Sequence, residues 1–254
     1  DTIITLENSQ TITLKNVAIG SLTAANFNNS WVISGTTGND ALSGTSGADT
    51  MNGLAGDDKL IGGVGADIID GGTGIDTVYY VSSDLGVTVN LTLSTVQLGA
   101  GDAAGDKLSN IENVTGSSYG DTLTAVATGS VLDGGESNDI LNGGNGNDTL
   151  IGGDGSDTIN GGAGIDTVSY ARSDLAVYID LAASTNQYGG DAGGDILSYI
   201  ENVIGSSFND ELTGNAGVNN INGGDGNDKI RGGAGADIIN GGAGIDTADY
   251  WGSS

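Results

Sequence analysis

The 254-residue sequence contains no cysteine, no histidine and no proline. Without cysteine there are no disulfides and no thiol chemistry. Without His or Cys the common zinc sites, a Ser-His-Asp relay and a His-ligated haem are all excluded. The lack of proline, with glycine off a three-residue period, excludes collagen. Positive charge is scarce too: 6 Lys and Arg stand against 33 Asp and Glu, a formal net charge of −27. Such a surface repels phosphates, which argues against nucleic acid as a partner. No apolar run approaches the roughly 18–20 residues of a membrane span, and no secretory signal pattern stands at the start.

What is present is glycine, with 48 residues, well above the usual share of roughly 7%. The acidic residues are lopsided, with Asp far outnumbering Glu. High glycine and large negative charge resemble disorder, yet 37% of residues are hydrophobic. That is enough for a core if the pattern concentrates them.

The pattern does so with a period of nine. From Ser34 the sequence reads SGTTGNDAL, SGTSGADTM, NGLAGDDKL, IGGVGADII, DGGTGIDTV without a gap. Asp40, Asp49, Asp58, Asp67 and Asp76 share one phase. A second array starts at Thr115 and places Asp121, Asp139, Asp148, Asp157 and Asp166 in phase, with Ser130 at the defective position. A third starts at Ile204 with Asp210, Asp228, Asp237 and Asp246, and Asn219 in place of one Asp. The residue two positions after every slot is apolar. Each nonapeptide therefore reads as a glycine-rich turn followed by a strand of about three residues, with one side chain directed inward. Leu60, Ile69, Val78, Leu141, Leu150, Ile159, Ile221, Ile230 and Ile239 are expected to stack into an apolar ladder. One repeat cannot bury its own face, so the units must stack into a solenoid. With two nonapeptides per coil, the Asp residues of repeats i and i+2 meet on one edge. Their repulsion calls for a cation, and calcium suits mixed carboxylate and carbonyl oxygens.

The repeat GGxGxDxUx resembles the RTX (repeats-in-toxin) nonapeptide, a motif known for binding calcium in β-helices; NGGNGNDTL and NGGAGIDTV are near-consensus copies. The resemblance implies an all-β, right-handed parallel β-roll or β-helix solenoid with calcium in its turns. It implies calcium-driven folding and export by a type I secretion apparatus, hence an extracellular or cell-surface location in a Gram-negative bacterium. Departures are the repeat 124–132, Asn219, and the opening copies that lack the second glycine. The in-phase Asp residues named above are the expected calcium ligands, with roughly three ions per five stacked repeats and on the order of nine in all.

A longer period joins the arrays. GGTGIDTVYYVSSDLGVTVNL from Gly71 aligns with GGAGIDTVSYARSDLAVYIDL from Gly161, and the segment from Gly101 with that from Gly190. The spacers are thus part of the repeating unit. Val87, Val89 and Leu91, with Val177, Ile179 and Leu181, alternate as a half-buried strand. Ile111, Val114, Ile200 and Val203 are expected to resume the inward ladder. A protruding loop is expected around 94–107 and 184–195, where Asp102, Asp106, Asp191 and Asp195 read either as further calcium sites or as a solvated acidic loop. Glu112-Asn113 and Glu201-Asn202 read as turn-stacking residues in preference to catalytic ones. Tyr79, Tyr80, Tyr170 and Tyr250 read as packing at spacer junctions in preference to sugar stacking.

Residues 1–33 differ. Ile3–Leu6 and Thr11–Val17 suggest a hairpin or two successive coils, and 21–27 a short helical turn with Ser21 as N-cap. This segment is expected to cap the apolar end of the solenoid, with a carbohydrate contact at Trp31 as the alternative. The expected organisation is a lead-in at 1–33, arrays at 34–78, 115–168 and 204–248, spacers at 79–114 and 169–203, and the start of a third spacer at 249–254. The start at Asp1 and the end inside a third unit suggest a piece of a longer protein.

The function expected is a calcium-binding secretion, folding and spacer module of a larger extracellular protein. A surface structural or adhesive protein, such as an S-layer or matrix adhesin, is the alternative, with self-association or cell-surface glycans as partners. An accessory module of a secreted polysaccharide-modifying enzyme or protease ranks below both, because the chain holds no evident catalytic set. No catalytic residue is assigned.

Overall fold

The computed structural model describes strands Thr2–Thr5 and Thr11–Leu14 and then residues 30–250. The first two strands pair antiparallel, a hairpin and not successive coils. The expected helical turn at 21–27 lies outside the described residues.

From Val32 onward the chain is a flattened solenoid of short parallel strands. Within the arrays the strand period is nine, so alternate strands fall on opposite faces, and each pairs with the strand 18 residues away. Met51 sits beside Ile69, Leu60 beside Val78 and Leu141 beside Ile159. Strands alternate their side chains, so only the middle residue of a three-residue strand points inward. Met51, Leu60, Ile69, Val78, Leu123, Leu132, Leu141, Leu150 and Ile159 are fully buried, and the ladder continues through Leu212, Ile221 and Ile230. Ile239, near the end of the stack, is only partly buried. Each buried aliphatic side chain contributes about 1.5–3 kcal/mol.

In the second array four strands are longer than three residues. Val131–Glu136, Ile140–Asn145, Thr149–Asp154 and Thr158–Ala163 continue pairing into the glycine turn, for example Gly135 with Gly153.

The two faces differ. One is a continuous sheet of ten strands, from Ala41–Ser43 to Ile238–Asn240. The other is divided into sheets of four, five and four strands. The breaks fall in the spacers. In the first, Lys107–Ser109 pairs backward with Ile68–Asp70, while Thr88–Asn90 pairs forward with Thr122–Thr124. The second repeats this with Ile196–Ser198 and Tyr178–Asp180. The chain thus runs ahead to start the next sheet and then returns to finish the previous one.

The spacers extend the solenoid as expected: Val87, Val89, Ile111 and Val114, with Val177, Ile179, Ile200 and Val203, are all buried. Their loops, expected to protrude, are anchored. Gln97 and Gln187 are buried and clamp the strand beside them: the N–H of Asn90 donates to Gln97 Oε1 (2.8 Å) and Gln97 Nε2 donates to the Asn90 carbonyl (3.1 Å). Gln187 treats Asp180 in the same way.

Candidate metal sites in the turns

The slot immediately before each strand is the organising position of the edges. It is held by the in-phase Asp residues, of which Asp49, Asp58, Asp67, Asp76, Asp121, Asp139, Asp148, Asp157, Asp166, Asp210 and Asp228 are buried. Asp40, Asp237 and Asp246 are half-buried. One oxygen of each of these carboxylates except that of Asp40 accepts an N–H from another coil or the lead-in. The N–H of Asp121 donates to Asp139 Oδ1 (2.7 Å), that of Asp139 to Asp157 Oδ1 (2.8 Å), and that of Asp148 to Asp166 Oδ1 (2.8 Å). The Asp residues therefore form hydrogen-bonded ladders, one on each edge, and do not merely converge on a shared groove.

The residue before the slot forms a second ladder of opposite sense. Asn147 Oδ1 accepts from the N–H of Ile165, and Asn227 Oδ1 from that of Ile245.

The other carboxylate oxygen separates two kinds of turn. In the first kind, the residue four before the slot caps it. The Thr36 N–H donates to Asp40 Oδ2 (2.6 Å), Thr45 to Asp49 (2.6 Å), Ser117 to Asp121 (2.5 Å) and Ser206 to Asp210 (2.6 Å). Their hydroxyls add a second bond to the same carboxylate. Val126 N–H to Ser130 Oγ and Asn215 N–H to Asn219 Oδ1 complete this group of self-capped turns. In the second kind, the equivalent residue has positive φ: Leu54, Gly63, Gly72, Gly135, Gly144, Gly153, Gly162, Gly224, Gly233 and Gly242. No such cap forms, and these turns are open. Oδ2 of Asp58, Asp67, Asp76, Asp139, Asp148, Asp157, Asp166 and Asp228 is buried without a hydrogen-bond partner. All eight belong to open turns.

An unpartnered buried carboxylate oxygen costs several kcal/mol unless something neutralises it. Burial pushes Asp139 up to about 8, against the opposing pull of the Asp121 N–H and reinforced by Asp157 and Asp121. Burial likewise raises Asp148 and Asp157 to about 6. Room beside these oxygens depends on glycine: a Cβ built on Gly134 would fall on Asp139 Oδ2. The open turns thus offer a hard oxygen, a cradle that a Cβ would fill, and neighbouring carbonyls. These are the features a calcium ion takes, with one carboxylate and several carbonyls. Among the described residues no three acidic, His or Cys side chains gather into a metal-holding group, so backbone oxygens would complete any shell.

The spacers fill the slot with other residues: Asp106 and Asp195 stand outside the nonapeptide phase, and Glu112 and Glu201 stand in it, nine residues before Asp121 and Asp210. Asp106 and Asp195, fully buried, receive the N–H of Asp67 and Asp157 on Oδ1 (2.8 Å each). Their Oδ2 atoms accept from the buried Tyr80 and Tyr170 hydroxyls, at 3.0 and 2.8 Å. Burial pushes both carboxyls up to about 7 and both phenols well above their usual value. On the other edge Glu112 and Glu201 accept from the N–H of Asp76 and Asp166 (2.9 Å). The signal was an acid one residue before a strand: Asp106-Lys107-Leu108 and Glu112-Asn113-Val114 repeat the slot-x-apolar pattern. Asn113 and Asn202 stack between coils, accepting from the N–H of Val131 and Asn220. Asp102 and Asp191 lie beside Ser83 and Ser173, whose hydroxyls accept their N–H groups.

A parallel β-roll with a carboxylate ladder along each edge is the scaffold of a repeat protein whose turns serve cations. The family described as RTX calcium-binding nonapeptide repeat (4 copies) matches residues 32–56, 43–78, 131–168, 197–228 and 213–248. These segments span more than half of the chain, and the protein belongs to that family: it is an RTX calcium-binding β-roll. No curated protein matches the chain.

Proposed function

We propose that this chain is the calcium-dependent folding and spacer module of a larger extracellular protein, exported unfolded through a type I secretion apparatus. The observation that carries the reading is the set of eight buried Asp Oδ2 atoms without donors. Without calcium these charges oppose compaction, together with a net charge of −27. With calcium, binding free energy becomes folding free energy, because the unfolded chain offers no assembled site. Asp40, Asp49, Asp58, Asp67, Asp76, Asp121, Asp139, Asp148, Asp157, Asp166, Asp210, Asp228, Asp237 and Asp246 frame these edges, and the ions number on the order of nine. Turns within the arrays at 34–78, 115–168 and 204–248 bind them; the spacers at 79–114 and 169–203 keep the stack continuous.

Far-UV circular dichroism of the chain in millimolar calcium and in chelator tests this. The expected result is β-structure with calcium and its loss on chelation. Equal β-content in both conditions would overturn the reading.

A further inference from the structure

The two kinds of turn are not scattered. Each array opens with two self-capped turns, one on each edge, and every later turn in the array is open. The opening pairs span 34–51, 115–132 and 204–221, and turns with positive φ at the third position follow without exception. In the opening pairs the slot residue has its oxygen satisfied by its own turn. A main-chain N–H, aided by a Ser or Thr hydroxyl in four of the six, stands where the later turns leave Oδ2 bare.

We propose that calcium enters only the open turns, and that the first coil of each array is built to be complete without an ion. Building on the calcium-driven reading above, this separates the in-phase Asp residues into two sets by the third residue of the turn. Thr, Ser, Val or Asn there keeps φ out of the positive region and turns its N–H onto the slot. Glycine there, or Leu54, takes positive φ and leaves the oxygen to the cation. Asp40, Asp49, Asp121 and Asp210, though identical in sequence phase to the others, act as hydrogen-bond acceptors: all four for their own turn, and Asp49, Asp121 and Asp210 also for the N–H groups of Trp31, Val87 and Val177. Their coil offers a finished surface on which the calcium-loaded coils stack. In the second and third arrays it lies next to the spacer, whose slots at Asp106 and Asp195 are likewise satisfied by protein donors. The ion-free region between two arrays is thereby continuous.

Asn219 shows that a carboxamide fits a self-capped slot. Its Oδ1 accepts from Asn215, and its Nδ2 donates to the Glu201 carbonyl at 2.7 Å. The test uses the full chain and counts bound calcium by native mass spectrometry or calorimetric titration, for the wild type and single Asp→Asn variants. Asp121→Asn and Asp210→Asn should bind as many ions as the wild type. Asp148→Asn and Asp157→Asn should each bind at least one fewer. Circular dichroism in saturating calcium reports whether each variant is folded. Asp40→Asn, in the half-buried first turn, repeats the comparison where folding is least at risk. Loss of an ion from Asp121→Asn, Asp210→Asn or Asp40→Asn would overturn the inference while leaving calcium-driven folding intact. A wild-type chain that takes up no calcium would overturn the calcium reading itself.

Discussion

Arrays and spacers solve one problem in two ways. Both carry a residue before each strand that must accept an N–H from the neighbouring coil, and both bury it. In the arrays the second oxygen of Asp139 or Asp157 is left bare. In the spacers the second oxygen of Asp195 receives the Tyr170 hydroxyl at 2.8 Å. Identical ladder geometry is thus compatible with an ion or with a buried phenol. A stack can alternate between coils that need calcium and coils that carry their own donor.

The largest effect that would break this comparison is proton competition. Burial raises the folded-state carboxyls of Asp139, Asp148 and Asp157 above the usual carboxylate value, to about 8, 6 and 6. A group whose folded pKa is raised binds more protons folded than unfolded. Its contribution to stability is complete below about pH 4 and is lost as pH rises through the folded value. In chelator, β-structure should therefore increase as pH falls from 8 to about 5, by about 1.4 kcal/mol for each tenfold difference in proton affinity. In calcium, the same acidification should weaken ion binding, because the proton and the ion compete for one oxygen. Circular dichroism across that range, with and without chelator, checks both signs. Chelated protein that loses structure on acidification would contradict the burial argument.

Next in size is the loss of a glycine in an open turn. Gly153 has φ +91°, and a Cβ there would fall on the carbonyl oxygen of Gly135 in the adjacent coil. Gly153→Ala should cost about 3 kcal/mol or more, through left-handed strain and backbone displacement together. Gly193, in the spacer loop, has an ordinary φ of −67° and only the Gly190 carbonyl within reach, at 3.3 Å. Gly193→Ala should change stability by less than about 0.5 kcal/mol. Denaturant unfolding in calcium measures both. Equal losses would show that close stacking is not special to the arrays.

Smaller, and more informative, is Tyr170→Phe. It leaves Asp195 Oδ2 buried without a donor, which costs about 1–3 kcal/mol. The spacer slot then resembles an open turn, so the deficit measured in low calcium should shrink as calcium is raised. A deficit that calcium leaves unchanged would mean that the spacer slot lacks the carbonyl surroundings an ion needs.

The scaffold was readable because it is periodic. One apolar residue two places after each slot predicts the buried ladder from Met51 to Ile230, and the 90-residue recurrence predicts that the spacers continue it. What escaped was mostly non-periodic. The nonapeptide phase cannot see that Asp106 occupies a slot, because the loop before it shifts the count; Glu112 keeps the phase, nine residues before Asp121, and was hidden by the absence of the turn glycines and of Asp. Nor can it see Tyr80 reaching Asp106, a partner 26 residues away set by the folded-back loop. The difference between Asp121 and Asp139 was visible only as Ser117 against Gly135. Its meaning depends on φ and on where an N–H points, which composition does not record.

Leu54 sharpens that last point. It holds the third position of an open turn with φ +78°, a region costing a non-glycine residue about 1–2 kcal/mol. Its neighbour turns, led by Thr36 and Thr45, avoid positive φ and cap their own Asp. Leu54 does not, so stacking on the following coils holds the turn open: Thr73 N–H donates to the Leu54 carbonyl at 2.9 Å, and Ala55 bridges Thr73. The side chain is 42% exposed, so little burial is lost on its removal. Leu54→Gly should therefore stabilise the calcium-loaded protein by about 1 kcal/mol, the strain relief outweighing the added freedom of the unfolded chain. Thermal or denaturant unfolding in saturating calcium measures it. Destabilisation instead would mean that the leucine packs usefully in the turn, and that turn type is chosen by the stack more than by the third residue.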